Sequence, residues 1–283
     1  MDRERELASV TVTSASDALF VPDGERFIPT ELTRGGWSET AQHGGPPCGL
    51  MAHVIETAEA PVPMQVARIT FDLLRPVPLT PLTVRCEVVR PGRRIQVVQA
   101  VMEAEGLEVA RALALMIRNA DVELPEPSLD WIQPPPPGDA HPLELQQWAA
   151  GQTHLPRFHL DAIEIRTFND SFYRPGRGVS WFRLRYDVVA EHETTPLMQV
   201  ATLADLSNGN SMMLDPRVFL YVNPDVTLYV HRLPNDEWLG MDSIAYQHAS
   251  GIGVADTLIF DPSGPLGRVT QAQLIERHGP ERP

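Results

Sequence analysis

The chain has 283 residues, of which 43% are hydrophobic and 21% are charged, a composition typical of globular proteins rather than of disordered chains. Its formal net charge of −14 at pH 7 argues against nucleic acid as a partner, because binding along phosphates requires clustered positive charge. Two isolated cysteines exclude a disulfide framework, and the histidines lack metal-ligand spacing, so we expect neither a metal nor a cofactor.

The N-terminal segment is charged and carries no apolar stretch of the kind found in secretory signals. The longest apolar run, 110–117, is interrupted by Arg111 and is too short to span a bilayer. We therefore expect a cytoplasmic protein that does not bind membranes.

The first half of the chain contains one helix-like segment followed by strand-like runs. The helix is predicted over 46–58, where apolar residues recur at helical spacing. Glu105 and Gly106 predict a tight turn between the last two strands. Alternation of apolar and polar residues predicts strands over 66–74, 82–89, 94–104 and 108–118.

Prolines divide the chain near its middle. The run 124–138 contains six prolines, and because proline lacks an N–H donor and restricts its neighbours, this run is predicted to be an extended linker. We expect an N-terminal unit over 1–123, a Pro-rich linker over 124–155 and a C-terminal unit over 156–283.

The second half repeats the order of the first. A helix is predicted over 196–205, and an offset of 157 residues places Arg75 on Arg232. Four strands are predicted over 225–232, 239–248, 253–260 and 267–276. Each half is thus predicted to contain a strand or two, one helix and then a four-stranded antiparallel meander, an α+β unit whose curved sheet wraps its helix. Two such units can join edge to edge into one continuous sheet.

Short segments in both halves resemble a known family. The resemblance is carried by 43–53, 67–78, 90–94, 204–208, 223–232 and 267–271. In this order they are similar to the acyl-CoA thioesterase II-like proteins, which have a double hotdog fold. The resemblance implies hydrolysis of an acyl-CoA thioester by a directly activated water, in fatty acid metabolism, with acyl-CoA as the partner and without a covalent acyl-enzyme.

The resemblance also implies site residues. The catalytic residues of the family are an aspartate, a Thr or Ser, and a glutamine, and the matching positions are Asp205, Asn223 and Gln271. Asn223 departs from the family, because an amide can hold a water but does not replace a hydroxyl in every role. The histidine that often follows the next aspartate, Asp225 here, is replaced by Val226.

Thioester hydrolysis requires a positioned water, an acceptor for its proton and donors for the developing oxyanion. Asp205 is the natural acceptor, or otherwise an ordinary turn carboxylate. Gly44 and Gly45 precede Pro46 at the start of a predicted helix, so they form either an oxyanion site or a tight packing loop. His43 is either a general base or a packing residue, and we group it with the two glycines as substrate-binding.

Positive charge is concentrated in the turn at 90–94. Arg93 and Arg94 in this turn are predicted to bind the phosphates of CoA, although a solvated hairpin gives the same pattern. Cys48 lies within the apolar helix and is predicted to be a buried thiol rather than a nucleophile. No GxSxG sequence supports a serine hydrolase.

Two alternatives remain open. The departure at Asn223 is compatible with a catalytically silent protein that binds acyl-CoA. A hydratase or dehydratase is the other alternative, since hotdog folds also carry that chemistry, but it needs an Asp–His pair aimed at one substrate carbon. Because paired repeats of this kind commonly associate further, we expect a homodimer.

Overall fold

The computed structural model describes residues 17–36, 38–125, 134–143, 155–169, 175–215 and 218–278. Most of the predicted linker over 124–155 and the charged N-terminal segment lie outside the described residues. Within the described ranges the chain forms a large β-sheet and three α-helices.

The first repeat consists of a hairpin, a helix and four strands. The hairpin is formed by β1 (Ala18–Asp23) and β2 (Arg26–Pro29), and helix α1 spans Gly45–Glu56. The four strands are β3 (Met64–Leu73), β4 (Leu82–Arg90), β5 (Ile95–Ala104) and β6 (Leu107–Arg118). Each predicted element is confirmed to within two residues at either end. Glu105 and Gly106 both adopt positive φ, as the predicted tight turn requires.

The second repeat begins with the short strand β7 (His141–Pro142) and a π-helical segment, Phe158–Ala162, which the sequence did not predict. The strands β8 (Ile163–Thr167), β9 (Gly178–Leu184) and β10 (Asp187–Val189) precede the helices α2 (Pro196–Ala204) and α3 (Ser207–Asn210). The last strands are β11 (Phe219–Val222), β12 (Asp225–Val230), β13 (Leu239–His248), β14 (Ile252–Asp261) and β15 (Gly264–Arg277). The predicted helix and four strands are confirmed to within three residues.

The described strands form one continuous sheet. Their order is β10-β1-β2-β4-β5-β6-β3-β12-β15-β14-β13-β9-β8-β7, with β11 paired to β15. The two repeats meet where β3 and β12 pair antiparallel, and Thr70 there faces Thr227 with their hydroxyls 3.2 Å apart. These threonines are separated by the predicted offset of 157 residues, so a local pseudo-twofold axis passes through this pair.

The predicted four-stranded meander is wrong in one respect. β4, β5 and β6 are neighbours in chain order, but β3 pairs with β6 and not with β4. Because β3 lies beyond β6, its other edge is free to pair with β12, and this pairing joins the two sheets. One further pair, β1 with β10, is parallel, so the sheet is not purely antiparallel.

Helices α1 and α2 pack against each other inside the curve of the sheet. They run antiparallel, since Gly45 at the start of α1 approaches Thr202 near the end of α2, while Glu56 at the end of α1 accepts a hydrogen bond from Thr195. A Cβ at Gly49 would overlap the Thr202 hydroxyl, so the glycine permits the close approach. No described helix is long and apolar enough to cross a bilayer.

Candidate active site

The site is built around Asp205, the residue that caps the C-terminal end of α2. Its side chain is only 4% exposed and faces the start of α1. A Cβ at Gly44 would lie 2.8 Å from Asp205 Oδ2, so the glycine makes room for the carboxylate. The start of a helix carries partial positive charge, which favours a carboxylate at this position.

Three polar side chains donate hydrogen bonds to this carboxylate. Asn223 Nδ2 lies 2.6 Å and Gln271 Nε2 lies 3.3 Å from Oδ1, and His43 Nδ1 lies 2.7 Å from Oδ2. The structure therefore brings together the three residues that the family resemblance implied. It adds His43, which comes from the other repeat.

Gln271 lies on the inward face of β15 and is 1% exposed. Because the carboxylate of Asp205 is an acceptor, the amide nitrogen of Gln271 must face it, and the amide oxygen points away. That oxygen, Oε1, is buried and has no hydrogen-bond partner among the described residues. Asn223 stands between β11 and β12, and its Nδ2 also lies 3.4 Å from the carbonyl of Asp225.

The surroundings of Asp205 keep it ionised. Burial alone would raise the pKa of this carboxyl, but attraction to His43 and hydrogen bonds from His43, Asn223 and the Gly45 N–H outweigh burial and lower the pKa. A buried carboxylate with this many donors is a stable negative charge at neutral pH.

His43 is held in place from several sides. Its backbone N–H donates to the carbonyl of Thr33, 2.8 Å away, and its ring centroid lies 5.0 Å from that of Phe158 and 6.0 Å from that of His159. The side chain remains 19% exposed, more than that of Asp205. His43 is therefore the more accessible member of the pair.

The start of α1 offers few donors for an oxyanion. Pro46 and Pro47 have no N–H, and the N–H of Gly45 is directed at His43 Nδ1, 3.2 Å away, and at Asp205. Gly44 and Gly45 thus lie in the site, as the sequence predicted, but their catalytic role stays a prediction.

Arg93 and Arg94 are not brought to Asp205. Both are exposed in the turn between β4 and β5. Gln96, at the start of β5, donates to the carbonyl of Glu59 beyond the C-terminal end of α1. A helix of twelve residues is about 18 Å long, so this turn lies far from the start of α1. That these arginines bind CoA stays a prediction.

The π-helical segment contributes residues that the sequence analysis did not identify. Arg157 donates to the carbonyls of Gly35 and Gly36, and Phe158 N donates to the carbonyl of Arg34, which fixes the segment beside His43. No motif marks these residues, because their position depends on contacts between the two repeats. They form one wall of the site.

Comparison with protein families identifies the chain. The acyl-CoA thioesterase N-terminal domain model matches residues 33–117, and the C-terminal domain model matches residues 132–275. The chain belongs to the acyl-CoA thioesterase family. This confirms the resemblance seen in the sequence and, with the continuous sheet, the double hotdog fold.

Solved structures share the fold of this acyl-CoA thioesterase family member. A candidate thioesterase II from Thermobifida fusca superposes with a TM-score of 0.69 at 14% identity, covering 91% of this chain and 95% of the other. A hot dog protein of unknown function from Alicyclobacillus acidocaldarius gives 0.66 at 16%, covering 94% and 97%. An acyl-CoA thioesterase II from Mycobacterium marinum gives 0.63 at 16%, covering 92% and 95%. A search of curated protein sequences found no match.

Proposed function

We propose that the protein hydrolyses an acyl-CoA thioester to the free acid and CoA by direct attack of a water molecule. Family membership supports this reaction class, and the residues around Asp205 supply groups that it needs. The buried Oε1 of Gln271 carries the proposal, because it is a fixed acceptor without a partner among the described residues. Such an oxygen can accept a hydrogen bond from the attacking water and orient it.

Direct attack is favoured over a covalent acyl-enzyme by the state of the nearest nucleophiles. Burial, and after it the charge of Asp205, raises the pKa of the Cys48 thiol well above its usual range, so the reactive thiolate is suppressed. The Ser207 hydroxyl is buried and donates to the carbonyl of Ala204. Neither side chain is an activated nucleophile.

Asn223 can take over one function of the family's hydroxyl. Its amide nitrogen donates to Asp205 at 2.6 Å, as a Thr or Ser hydroxyl could, and also to the carbonyl of Asp225, so its amide oxygen is the atom that remains for substrate or water. We propose further that the protein acts in the cytoplasm, in fatty acid metabolism and as a homodimer, and that the chain divides at 124–155.

The wild-type protein should release thiol from at least one short- or medium-chain acyl-CoA, measured with a thiol reagent. Gln271→Ala removes the proposed water acceptor and should lower kcat at least about tenfold, since one oriented hydrogen bond is worth about this much or more. Gln99→Ala is the matched control, because this half-buried glutamine lies on β5 of the first repeat, on the face opposite to the buried Val98. It should leave kcat unchanged.

Other outcomes would contradict the proposal. Saturable binding of acyl-CoA without thiol release would indicate the silent binding protein. Addition of water to an enoyl-CoA, with the thioester intact, would indicate the hydratase. Full activity in Gln271→Ala would remove this residue from the mechanism.

A further inference from the structure

Asp205 is poorly placed to take a proton from water itself. Oδ1 already accepts hydrogen bonds from Asn223 and Gln271, and Oδ2 accepts one from His43. An ionised carboxylate has about two acceptor sites on each oxygen, so little capacity is left for a reacting water.

His43 has the opposite character. Nδ1 and Oδ2 lie 2.7 Å apart, a distance that two unprotonated acceptors do not adopt, so with Asp205 ionised the proton is on Nδ1. A protonated Nδ1 cannot accept from the Gly45 N–H 3.2 Å away, so that N–H donates to the Asp205 carboxylate instead. The other ring nitrogen, Nε2, then carries a free electron pair. The imidazole is the exposed part of the pair, and Phe158 and the backbone bond to Thr33 fix its orientation.

We infer that His43 is the general base of the reaction and that Asp205 is a positioning residue, holding the imidazole as the Nδ1–H tautomer. This inference rests on the proposed function. It assigns the base to the first repeat, whereas Asp205, Asn223 and Gln271 come from the second. The site is therefore complete only where the start of α1 meets the end of α2.

Hydrolysis of the thioester needs only water, the thioester and the imidazole of His43. Nε2 of His43 accepts a proton from water as the water oxygen bonds to the thioester carbonyl carbon, and the carbonyl oxygen becomes the oxyanion. When this intermediate collapses, the C–S bond breaks and the electron pair leaves on sulfur. The imidazolium returns its proton from Nε2 to the CoA sulfur, so acid and thiol are released and His43 is neutral again.

The ionisable groups that face His43 suit this role. Asp205 is negative and binds Nδ1. His159 is neutral, since burial together with the nearby His43 and Arg157 lowers its pKa to about 3. A neutral neighbour neither binds the imidazole as an ion pair nor competes for the proton of water.

His43→Asn tests the assignment. The Asn amide can replace Nδ1–H as donor to Asp205 but has no counterpart of the basic Nε2. We expect kcat to fall at least about 100-fold, as for loss of a general base, while KM changes less than about threefold. His192→Ala changes an exposed histidine beside the start of α2, at the other end of the helix pair, and is the matched control.

Two further measurements separate catalysis from folding. Imidazole added to His43→Ala should restore part of the lost rate, which a structural role would not allow. The double variant His43→Asn with Asp205→Asn should have a kcat within about threefold of that of His43→Asn alone. Once the imidazole is absent, the loss of a residue that only positions it has little further effect.

Failure of the proposed function and failure of the assignment of His43 give different results. If wild-type protein releases no thiol from any acyl-CoA, the proposed function and this assignment are both wrong. If the wild type is active but His43→Asn retains more than about a third of its kcat, or imidazole restores nothing, only the assignment of His43 is wrong. If the double variant shows the losses of kcat of both single variants combined, Asp205 acts directly on water or substrate and is not a positioning residue.

Discussion

His159 is a neutral histidine in the wall of the site. It lies in the π-helical segment, its ring centroid 6.0 Å from that of His43, and Gly36 leaves space for its imidazole. Burial is the main cause that lowers its pKa to about 3, and the nearby His43 and Arg157 act in the same direction. Protonation of His159 would place a positive charge beside His43.

This shift predicts how stability depends on pH. The folded pKa lies below the unfolded value of about 6.5, so between these values the unfolded state binds more protons and folding weakens as pH falls. The contribution is complete above about pH 6.5 and decreases toward pH 3, with a slope of at most about 1.4 kcal/mol per pH unit. His159→Gln should reduce the slope.

Urea unfolding between about pH 7 and pH 4 measures this slope, since the free energy of unfolding in water is extrapolated at each pH. Asp205 titrates in the same direction, because its lowered pKa also removes stability as pH falls, but it is present in both proteins. His248→Gln changes an exposed histidine and is the control. Equal slopes in wild type and His159→Gln would show that His159 is not buried as a neutral group.

At the scale of elements, the site depends on the contact between α1 and α2. Gly45 and Gly49 lie one turn apart on the face of α1 that meets Thr202 of α2. A side chain at either glycine would collide with α2, so the two glycines set the distance between the helices. The same distance brings His43, just before α1, to Asp205, just after α2.

Gly49→Ala should therefore destabilise the protein. The new methyl group would overlap the Thr202 hydroxyl, and overpacking of this kind costs about 1–3 kcal/mol, although alanine itself favours a helix. Chemical unfolding measures the change. Gly138→Ala is the control, since a Cβ there meets nothing within 4 Å, and Thr202→Ala should recover part of the loss in a double variant. A stable Gly49→Ala protein would contradict this account of the helix contact.

At the scale of the whole molecule, the two repeats create two helix junctions, but only one has the arrangement of the site. At the other junction, Glu56 ends α1 and accepts a hydrogen bond of 2.6 Å from the hydroxyl of Thr195. Thr195 in turn caps α2 through its bond from the Met198 N–H. The carboxylate of Glu56 thus stabilises the start of α2 and does not hold a histidine as Asp205 does.

We therefore expect one active site per chain. Titration of a non-hydrolysable acyl-CoA thioether, followed by calorimetry, should give about one ligand per chain. Glu56→Gln should leave kcat within about twofold of wild type, because the changed group lies outside the site. Two ligands per chain, or a large loss of kcat in this variant, would show that both junctions are functional.

Local patterns in the sequence were sufficient for one helix and four strands in each repeat, but not for the shorter strands or the π-helical segment. The alternation in β13 and the proline-bounded start of α2 depend on neighbouring residues, so their boundaries were predicted closely. The same patterns suggested the duplication and its offset, which the pairing of Thr70 with Thr227 confirms. With the family resemblance, they also selected Asp205 and Gln271.

The pairing of strands and the composition of the site were decided only by tertiary structure. No local pattern states that β3 pairs with β6 and β12, because an edge strand chooses its partner by burial and hydrogen bonding across the whole sheet. From the sequence, His43 could be either a general base or a packing residue. Only the contact between the helices shows that it lies against Asp205. The periodicity of a sequence reports which face of an element is buried, whereas a contact between distant residues depends on how the buried faces pack.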